Sequence, residues 1–428
     1  MFERSLVVMM RGVRRIEKRI STKRLQTQLF LLVLAAVVAG LIPMLNSGLS
    51  WGDRPKIPGS IVFVTLWLLA IACALGAAWQ AKYHRLAALT MVSVCGMVTC
   101  VTFVWFSAPD LALTQLVVEV VTTVLILLGL RWLPRRIEEV SPLPSSLRKA
   151  RIRRLRDFLL STVVGGGMAL LSYAMLTRQT PNDISSFYLS RALPEGGGSN
   201  VVNVMLVDFR GFDTLGEITV LGAVALTVYA LLRRFRPSKE SMELPPQQRQ
   251  LAPDVATDLV NPRQASDTAL GFMMVPAVLV RLLLPIALVV SFYLFMRGHN
   301  QPGGGFVAGL VMSVAFILQY MVAGTQWVEA QMSLRPMRWM GFGLLSATLT
   351  GLGALFVGYP FLTTHTWHFS LPLLGDIHIA SALFFDVGVY AMVVGSTLLM
   401  LTALGHQSVR AHKPSNQPKA VAATEGAA

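Results

Sequence analysis

Residues 111–130 read LALTQLVVEVVTTVLILLGL, an apolar run in which Glu119 is the one charged residue. A helix of twenty residues rises about 30 Å, enough to cross the hydrocarbon core of a bilayer. Glu119 then lies near the midplane, where an unpaired charge costs roughly 3 kcal/mol or more. Carboxylates kept at this depth commonly line a route for protons or ions, so the run predicts a spanning helix and a transport role for Glu119.

The composition of the whole chain agrees with a membrane protein. Hydrophobic residues make up 54% of the 428 residues, charged residues make up 14%, and the mean hydropathy is +0.59. These values are typical of polytopic membrane proteins. The formal net charge is +15, but the basic residues lie between apolar runs. That placement argues for lipid orientation and against nucleic-acid binding.

Ten apolar runs are long enough to cross a bilayer, which predicts an all-α polytopic membrane fold. The runs occupy about residues 27–45, 60–80, 86–107, 111–131, 156–176, 212–232, 275–297, 304–325, 338–358 and 379–404. With the N-terminus inside, the cytoplasmic segments hold 30 of the 37 Lys and Arg residues. The positive-inside rule therefore predicts that both termini are cytoplasmic and that the first span is retained.

A polar segment divides the spans into six and four. Residues 236–267 are rich in proline and glutamine and carry no apolar period, which predicts a cytoplasmic linker between regions 1–235 and 268–406. Residues 407–428 are predicted to form a disordered cytoplasmic tail.

The predicted outer segment 177–211 holds two further features. A short surface helix is expected to start near Pro181 and to end at the glycines that follow Glu195. The stretch Val201–Val207 is apolar but too short to cross, so it either lies flat on the membrane or dips into the protein.

Polar side chains flank Glu119 on its predicted helix. Gln115 lies one turn earlier, and Thr122 and Thr123 lie one turn later. Hydroxyl and amide groups beside one carboxylate suit a proton relay; the alternative is a protonated glutamate that only hydrogen-bonds between helices. Asp110 begins the same span and either caps its helix or lines an entrance.

Three carboxylates and an arginine lie around the outer start of the sixth predicted span: Asp208, Arg210, Asp213 and Glu217. Thr214 and Glu217 fit a capping box, so helix initiation is one interpretation. Asp213 and Glu217 also lie one turn apart, where two acids repel unless a cation, a proton or Arg210 offsets them. A cation site is therefore the second interpretation.

Two candidate groups lie in the last four spans. The turn RGHNQPGGGF, residues 297–306, lacks the spacing of a P-loop. An unperturbed histidine titrates near neutral pH, which makes His299 a candidate titrating group, although a structural turn is the favoured interpretation. Asp386 lies inside the tenth run with Tyr390, one turn later, as a candidate partner. It is the second intramembrane carboxylate.

Covalent catalysis and cofactor binding find no support in the sequence. Cys73, Cys95 and Cys100 all fall inside apolar runs, which favours neither a disulfide framework nor a zinc site. The sequence shows no catalytic triad, metal-ligand spacing or nucleotide-binding motif. It predicts no cofactor and no enzymatic reaction.

The stretches 110–119, 208–217, 298–306 and 385–390 together resemble the Mrp (multiple resistance and pH) cation/proton antiporter family. Residues 1–235 resemble the carboxy-terminal region of the large A-type protein of that family, including parts similar to the D and E components of membrane-bound hydrogenases. Residues 268–406 resemble the B-type protein, the MnhB domain.

The resemblance implies one component of a multi-protein complex that exchanges Na⁺ for H⁺ in the bacterial inner membrane, with a large antiporter-like protein among its partners. It supports Glu119 as a proton- or ion-path carboxylate and the acids at 208–217 as part of a cation route. The long preceding region of the A-type protein is missing, so we expect a split gene product or a fragment. The alternatives are the membrane arm of a redox-driven proton pump and a non-conducting scaffold.

Overall fold

The protein is described from a computed structural model. The structure describes residues 7, 9–13, 25–48, 51–55, 58–81, 83–130, 133, 144–178, 184–235, 274–323, 325–332, 335–371 and 375–411. The predicted linker at 236–267 lies outside the described residues. The chain divides into two compact units: Met1–Pro58 with Arg136–Asp183, and Gly59–Arg135 with Ile184–Ala428.

The first unit contains two long helices, α1 (Leu25–Ser47) and α5 (Pro144–Thr177). At the start of α1, Gln26 Nε2 donates at 2.7 Å to Oδ2 of Asp157, which lies in the first half of α5. Beyond the end of α1, the ring of Trp51 meets that of Tyr173, near the end of α5, edge to face with centroids 5.5 Å apart. The later contact along α1 is also the later one along α5, so the two helices run in the same direction. Two odd-numbered spans have this relation when every span crosses the bilayer.

The second unit holds twelve further helical segments. In chain order they are α2 (Ile61–Gln80), α3 (Arg85–Trp105), α4 (Pro109–Leu130), α6 (Ile184–Gly196), α7 (Val201–Val204), a π-helix (Met205–Phe209), α8 (Gly211–Arg234), α9 (Met274–Arg297), α10 (Gly305–Ala323), α11 (Thr325–Gln331), α12 (Pro336–Phe356) and α13 (Ala382–Ala411).

Ten of the described helices are long and apolar enough to cross a membrane, and they match the ten predicted runs. The all-α polytopic prediction is confirmed. Helix α13 continues to Ala411, so residues 407–411, predicted to begin the tail, are helical. Pro109 stands at the first position of α4 and Asp110 in its first turn, an arrangement that suits a helix start because proline needs no amide partner there.

Helices α10 and α13 form the centre of the second unit. Their spanning windows are 67% and 72% buried, whereas that of α2 is 11% buried. Helix α12 packs on α13 with almost no space between them at one point. A Cβ added to Gly343 would lie 2.6 Å from the Gly388 carbonyl oxygen, and one added to Gly388 would meet the Gly343 carbonyl at 2.6 Å. Small residues allow this close backbone approach.

The part that resembles the A-type protein shares this core. Ile218 and Ala225 of α8 are 1% and 0% exposed and belong to the same buried cluster as Met392 of α13. Gly222 of α8 also faces Met392, because a Cβ there would lie 3.4 Å from the Met392 sulfur. The sixth span therefore packs directly against the tenth.

A two-stranded antiparallel hairpin joins α12 to α13, and it was not predicted. Strand β1 (Thr366–Leu371) pairs with β2 (Gly375–Ala380), with Trp367 opposite Ile379. The sequence TWHFSL alternates large apolar residues with smaller or polar ones, a period-two pattern typical of a strand. A search for twenty-residue apolar runs passes over a segment this short.

Candidate ion-path site

Glu119 lies at the interface of α3 and α4. Its carboxylate packs onto Gly96, where any added Cβ would overlap it. Thr123 Oγ1 lies 3.4 Å from Glu119 Oε1, and Ser93 Oγ lies 2.8 Å from Thr123 Oγ1. The carboxylate thus ends a short chain of hydroxyl groups that joins the two helices. Such a chain can donate to an ionised carboxylate and accept from a protonated one.

The other predicted neighbours of Glu119 have different surroundings. Thr122 Oγ1 donates to the Val118 carbonyl of its own helix at 2.8 Å. Gln115 is half-buried one turn before the carboxylate. Thr123 is therefore the predicted neighbour that contacts the carboxylate through its side chain.

Asp110 joins three segments that are distant in sequence. Its Oδ1 accepts from the Gly303 amide at 3.0 Å and from Asn200 Nδ2 at 3.3 Å. Asn200 also donates to the Gly298 carbonyl at 3.1 Å, and its Oδ1 caps α7 by accepting from the Val202 amide at 3.2 Å. Asp110 therefore bridges to other segments as well as standing in the first turn of α4.

His299 and Asp386 approach the buried side chain of Asn203 from opposite sides. Asn203 Oδ1 lies 3.2 Å from His299 Nδ1, and His299 Nε2 lies 2.9 Å from the Gly196 carbonyl. The Asp386 carboxylate lies beside the Asn203 amide and the Gly305 backbone: a Cβ on Gly304 would be 2.7 Å from Asn203 Nδ2 and 3.5 Å from Asp386 Oδ2. Both Asn203 and Asp386 are 7% exposed. Burial lowers the pKa of the His299 ring, and its bond to Gly196 raises it by less.

The predicted partnership of Asp386 with Tyr390 is wrong. The Tyr390 hydroxyl lies 3.3 Å from Ser291 Oγ, and its ring packs edge to face on Phe295 with centroids 5.9 Å apart. One helical turn of spacing places two residues on one side of a helix, but their partners depend on what packs there. Here Tyr390 contacts α9, whereas Asp386 lies beside Asn203 of α7.

Glycines in the turn 298–304 let its backbone reach these polar groups. Gly303 and Gly304 have φ of +159° and +103°, outside the usual range of residues with side chains. A Cβ at Gly304 would lie 2.7 Å from Asn203 Nδ2 and 3.5 Å from Asp386 Oδ2. The glycine-rich turn therefore serves the site as well as joining α9 to α10.

The acids at 208–217 have different partners and exposure. Asp208 Oδ1 accepts from the Thr364 amide at 3.0 Å, and burial raises the pKa of this carboxyl. Asp213 forms an ion pair with Arg210, one of the three offsets considered for these acids, and Glu217 is exposed. The capping-box interpretation is wrong: α8 begins at Gly211.

Thr214, the residue expected to cap the helix, hydrogen-bonds elsewhere. Its Oγ1 donates to the Leu206 carbonyl at 2.7 Å. This carbonyl lies in the π-helix, where the wider turn displaces backbone groups from regular helical pairing. The threonine thus secures the junction between the π-helix and α8.

Removing the side chain of Asp208 is expected to destabilise the fold. Asp208→Ala leaves the Thr364 amide without its acceptor, which costs about 1–3 kcal/mol. Asp208→Asn keeps an acceptor oxygen and should cost less. Thermal unfolding in detergent compares the variants, and equal midpoints for alanine and wild type would contradict the assignment of this bond.

The raised pKa of Asp208 also predicts how the stabilities of wild type and Asp208→Asn change with pH. A carboxyl with a raised folded-state pKa stabilises the fold at low pH, and that contribution is lost as pH rises from its ordinary value of 3.8 through the folded value. Asp208→Asn has no such loss. Its stability relative to wild type should therefore improve from pH 4 to pH 7, as a pH series of the same unfolding scans would show.

Asn200 and Asn203 were missed by the sequence analysis. Asn203 lies within the apolar stretch Val201–Val207, and Asn200 directly precedes it. Asn203 interrupts the run VVNVMLV, and a polar residue inside an apolar run is the signal that could have identified it. The structure shows that this stretch dips into the protein, because Asn203, Val204 and Val207 are all buried.

Comparison with known proteins places three stretches of the chain in described families. Residues 68–135 match the family described as the D component of MBH, and residues 152–249 match the E component of MBH. Residues 275–399 match the domain related to the MnhB subunit of Na⁺/H⁺ antiporters. These stretches include α4 with Glu119, the junction around Asn203, and α13 with Asp386.

Similar proteins carry antiporter names. The chain is 52% identical over 417 residues to the A/B protein of a probable K⁺/H⁺ antiporter of Rhizobium meliloti, covering 96% of this chain and 41% of that protein. It is 43% identical over 122 residues to the B protein of the Na⁺/H⁺ antiporter of Bacillus subtilis, covering 28% of this chain and 85% of that protein.

A solved structure agrees with these relatives. A chain of the Mrp complex from Dietzia sp. DQ12-45-1b superposes with a TM-score of 0.72 and 28% identity, over 94% of this chain and 41% of that chain. The present chain thus spans about two fifths of the length of its A/B relative. The chain belongs to the Mrp-type antiporter family, as a multi-pass membrane protein in which sequence similar to the A-type protein is joined to a B-type portion.

Proposed function

We propose that this chain is a membrane subunit of a multi-subunit monovalent cation/proton antiporter and that its carboxylates form part of the cation or proton path. The match to the A/B relative over 96% of the chain carries this proposal. The proposed partners are further Mrp-type subunits, including a large antiporter-like one, because the similar solved structure is a chain of an Mrp complex and the relatives are named as subunits. Na⁺ and K⁺ are both candidate cations, since the relatives' names include both.

Glu119 is the proposed central group of the path in this chain. It stands in the middle of a spanning helix and ends the hydroxyl chain through Thr123 and Ser93. A carboxylate that can change its protonation in such a place can pass a proton or neutralise a cation. The carboxylates Asp110, Asp208, Asp213, Glu217 and Asp386 are proposed as further stations or as an entrance.

The proposed orientation puts both termini in the cytoplasm. The charge count assigns Asp110, residues 196–210 and residues 298–304 to the same, outer side of the membrane. The contacts of Asp110 with Gly303 and Asn200 support a common side for these segments. The acids near Asn200 then lie at the outer mouth of the path.

A second candidate function is the membrane arm of a redox-driven proton pump. The matches of residues 68–135 and 152–249 to the D and E components of MBH favour it. Iron–sulfur or flavin subunits that copurify with this chain would support the second candidate over the first.

The antiporter proposal is tested by removing and restoring this chain in a host that lacks other antiporters. Everted vesicles from the complete complex should dissipate a pH gradient when Na⁺ or K⁺ is added. Vesicles without this chain should show background exchange, and restoring the chain should recover it. Blots for the other subunits serve as the control for membrane insertion. Full exchange without the chain would refute the proposal.

A further inference from the structure

The hydrogen bonds around His299 restrict which of its nitrogens carries a proton. The Gly196 carbonyl, 2.9 Å from Nε2, can only accept. Nε2 therefore bears a hydrogen. The state of Nδ1 then depends on Asn203, which lies 3.2 Å away. If the oxygen of the Asn203 amide faces the ring, Nδ1 must donate and the ring is an imidazolium. If the NH₂ group faces the ring, Nδ1 accepts and the ring is neutral.

The opposite end of the same amide faces Asp386. When the oxygen of Asn203 points to His299, its NH₂ group is on the side of Asp386, where it can donate to an ionised carboxylate. When the amide is reversed, its oxygen points to Asp386 and requires a donor, which a protonated carboxyl supplies. One side chain thus presents a matched arrangement for each of two charge states.

We propose that Asn203 couples the protonation of His299 and Asp386, so that one proton is shared between a histidine of the 298–304 turn and a carboxylate inside α13. The pair alternates between an imidazolium with a carboxylate and a neutral ring with a carboxylic acid. The amide itself gains and loses no proton; its orientation selects which group is protonated. Asn203 is a positioning residue in this arrangement.

Loss of the shared proton disturbs the arrangement. A neutral ring with a bare Nδ1 and an ionised carboxylate both require a donor from Asn203, and one NH₂ group pointing in one direction satisfies only one of them. A buried acceptor left without a partner costs about 1–3 kcal/mol. The two one-proton states avoid that cost and carry the same net charge. They are therefore favoured over the proton-free state in this buried site.

Several features hold Asn203 in place. It is 7% exposed, and its backbone amide lies 3.4 Å from Asn200 Oδ1 at the start of α7.

Other titratable or charged groups surround His299 and Asp386. They are Glu195 and Asp208 next to Gly196, Asp110 through Asn200, Arg297 through its bond to the Pro302 carbonyl, and Tyr390 one turn beyond Asp386. They modify the field at the two groups, whereas Asn203 contacts both.

The coupling is tested by a double-mutant cycle on the full chain in its purified complex. Histidine ¹⁵N NMR follows the ring of His299, assigned by loss of its signals in His299→Gln. With Asn203 present, Asp386→Asn should lower the proton affinity of His299 by about tenfold, or one pH unit. In the Asn203→Leu background the same change should have less than about a threefold effect.

Asp208→Asn provides the matched control, because it removes a carboxylate from the Gly196 side, where no amide connects it to the ring. Its effect on His299 should be the same in both backgrounds. Equal effects of Asp386→Asn with and without Asn203 would overturn the proposal. If Asn203→Leu does not fold, Asn203→Ala takes its place with the same criterion. The readout is independent of ion exchange, so its failure is distinguishable from failure of the antiporter proposal.

Discussion

Replacing Glu119 with glutamine is expected to reduce cation/proton exchange to the background of vesicles that lack this chain. Glutamine has almost the same shape and offers an oxygen to Thr123, so the packing against Gly96 should persist. What it lacks is a proton that can be released and a charge that can attract a cation. Exchange is measured in everted vesicles by the recovery of a pH probe after cation addition.

Two further variants make this result interpretable. Glu119→Asp retains the acid on a shorter side chain and should keep part of the exchange. Glu329→Gln makes the same chemical change at an exposed glutamate paired with His406, in the short helix α11, and should leave exchange near wild type. Normal exchange by an assembled Glu119→Gln complex would mean that Glu119 is structural, and the scaffold alternative would then be preferred.

Replacing Gly343 with leucine is expected to prevent stable packing of α12 on α13. The first added carbon would already lie 2.6 Å from the Gly388 carbonyl oxygen and 2.7 Å from the Met392 amide nitrogen. Both are backbone atoms, so relief requires the helices to separate. Overpacking of a tight core typically costs about 1–3 kcal/mol, and a branched side chain against backbone should reach the upper end. The expected result is a lower unfolding temperature and poor recovery of the chain.

Gly341→Leu is the matched control for this substitution. It lies on the same helix two residues earlier, and a Cβ there has no atom within 4 Å. The change in helix propensity and hydrophobicity is identical, so a difference between the variants isolates the contact with α13. Equal unfolding temperatures for the two variants, measured by fluorescence scans in detergent, would show that the close approach contributes little.

Much of the fold was predictable because the bilayer imposes simple rules on a chain. A spanning helix must satisfy its own backbone and present about twenty apolar residues, so length and hydropathy located all ten spans. They did not locate the polar extensions of two helices, since α5 already begins at Pro144 and α13 continues to Ala411. The start of α4 could also be predicted, since Pro109 and Asp110 are typical of a helix N-terminus. The hairpin at 366–380 follows a shorter period and was missed.

The site was less predictable because its bonds connect distant segments. His299 and Asn203 are 96 residues apart, and Gly303 and Asp110 are 193 residues apart. No local pattern specifies which turn reaches which helix. The sequence therefore identified Glu119, Asp110, His299 and Asp386 as candidates one at a time. Asn203, which lies between two of them, has a sequence signal as a polar residue in an apolar run, but its neighbours follow from the packing.

The packing of α8 on α13 bears on why the A-type-like and B-type portions occur in one chain. Ile218 and Ala225 are buried in one cluster with Met392, so the two parts share a packed interface as well as a peptide connection. Covalent connection of two parts that pack together raises their local concentration and fixes a one-to-one ratio. In Bacillus subtilis, similar sequences belong to separately named A and B proteins of the antiporter. Fusion and separation are, on this view, two ways of supplying the same interface.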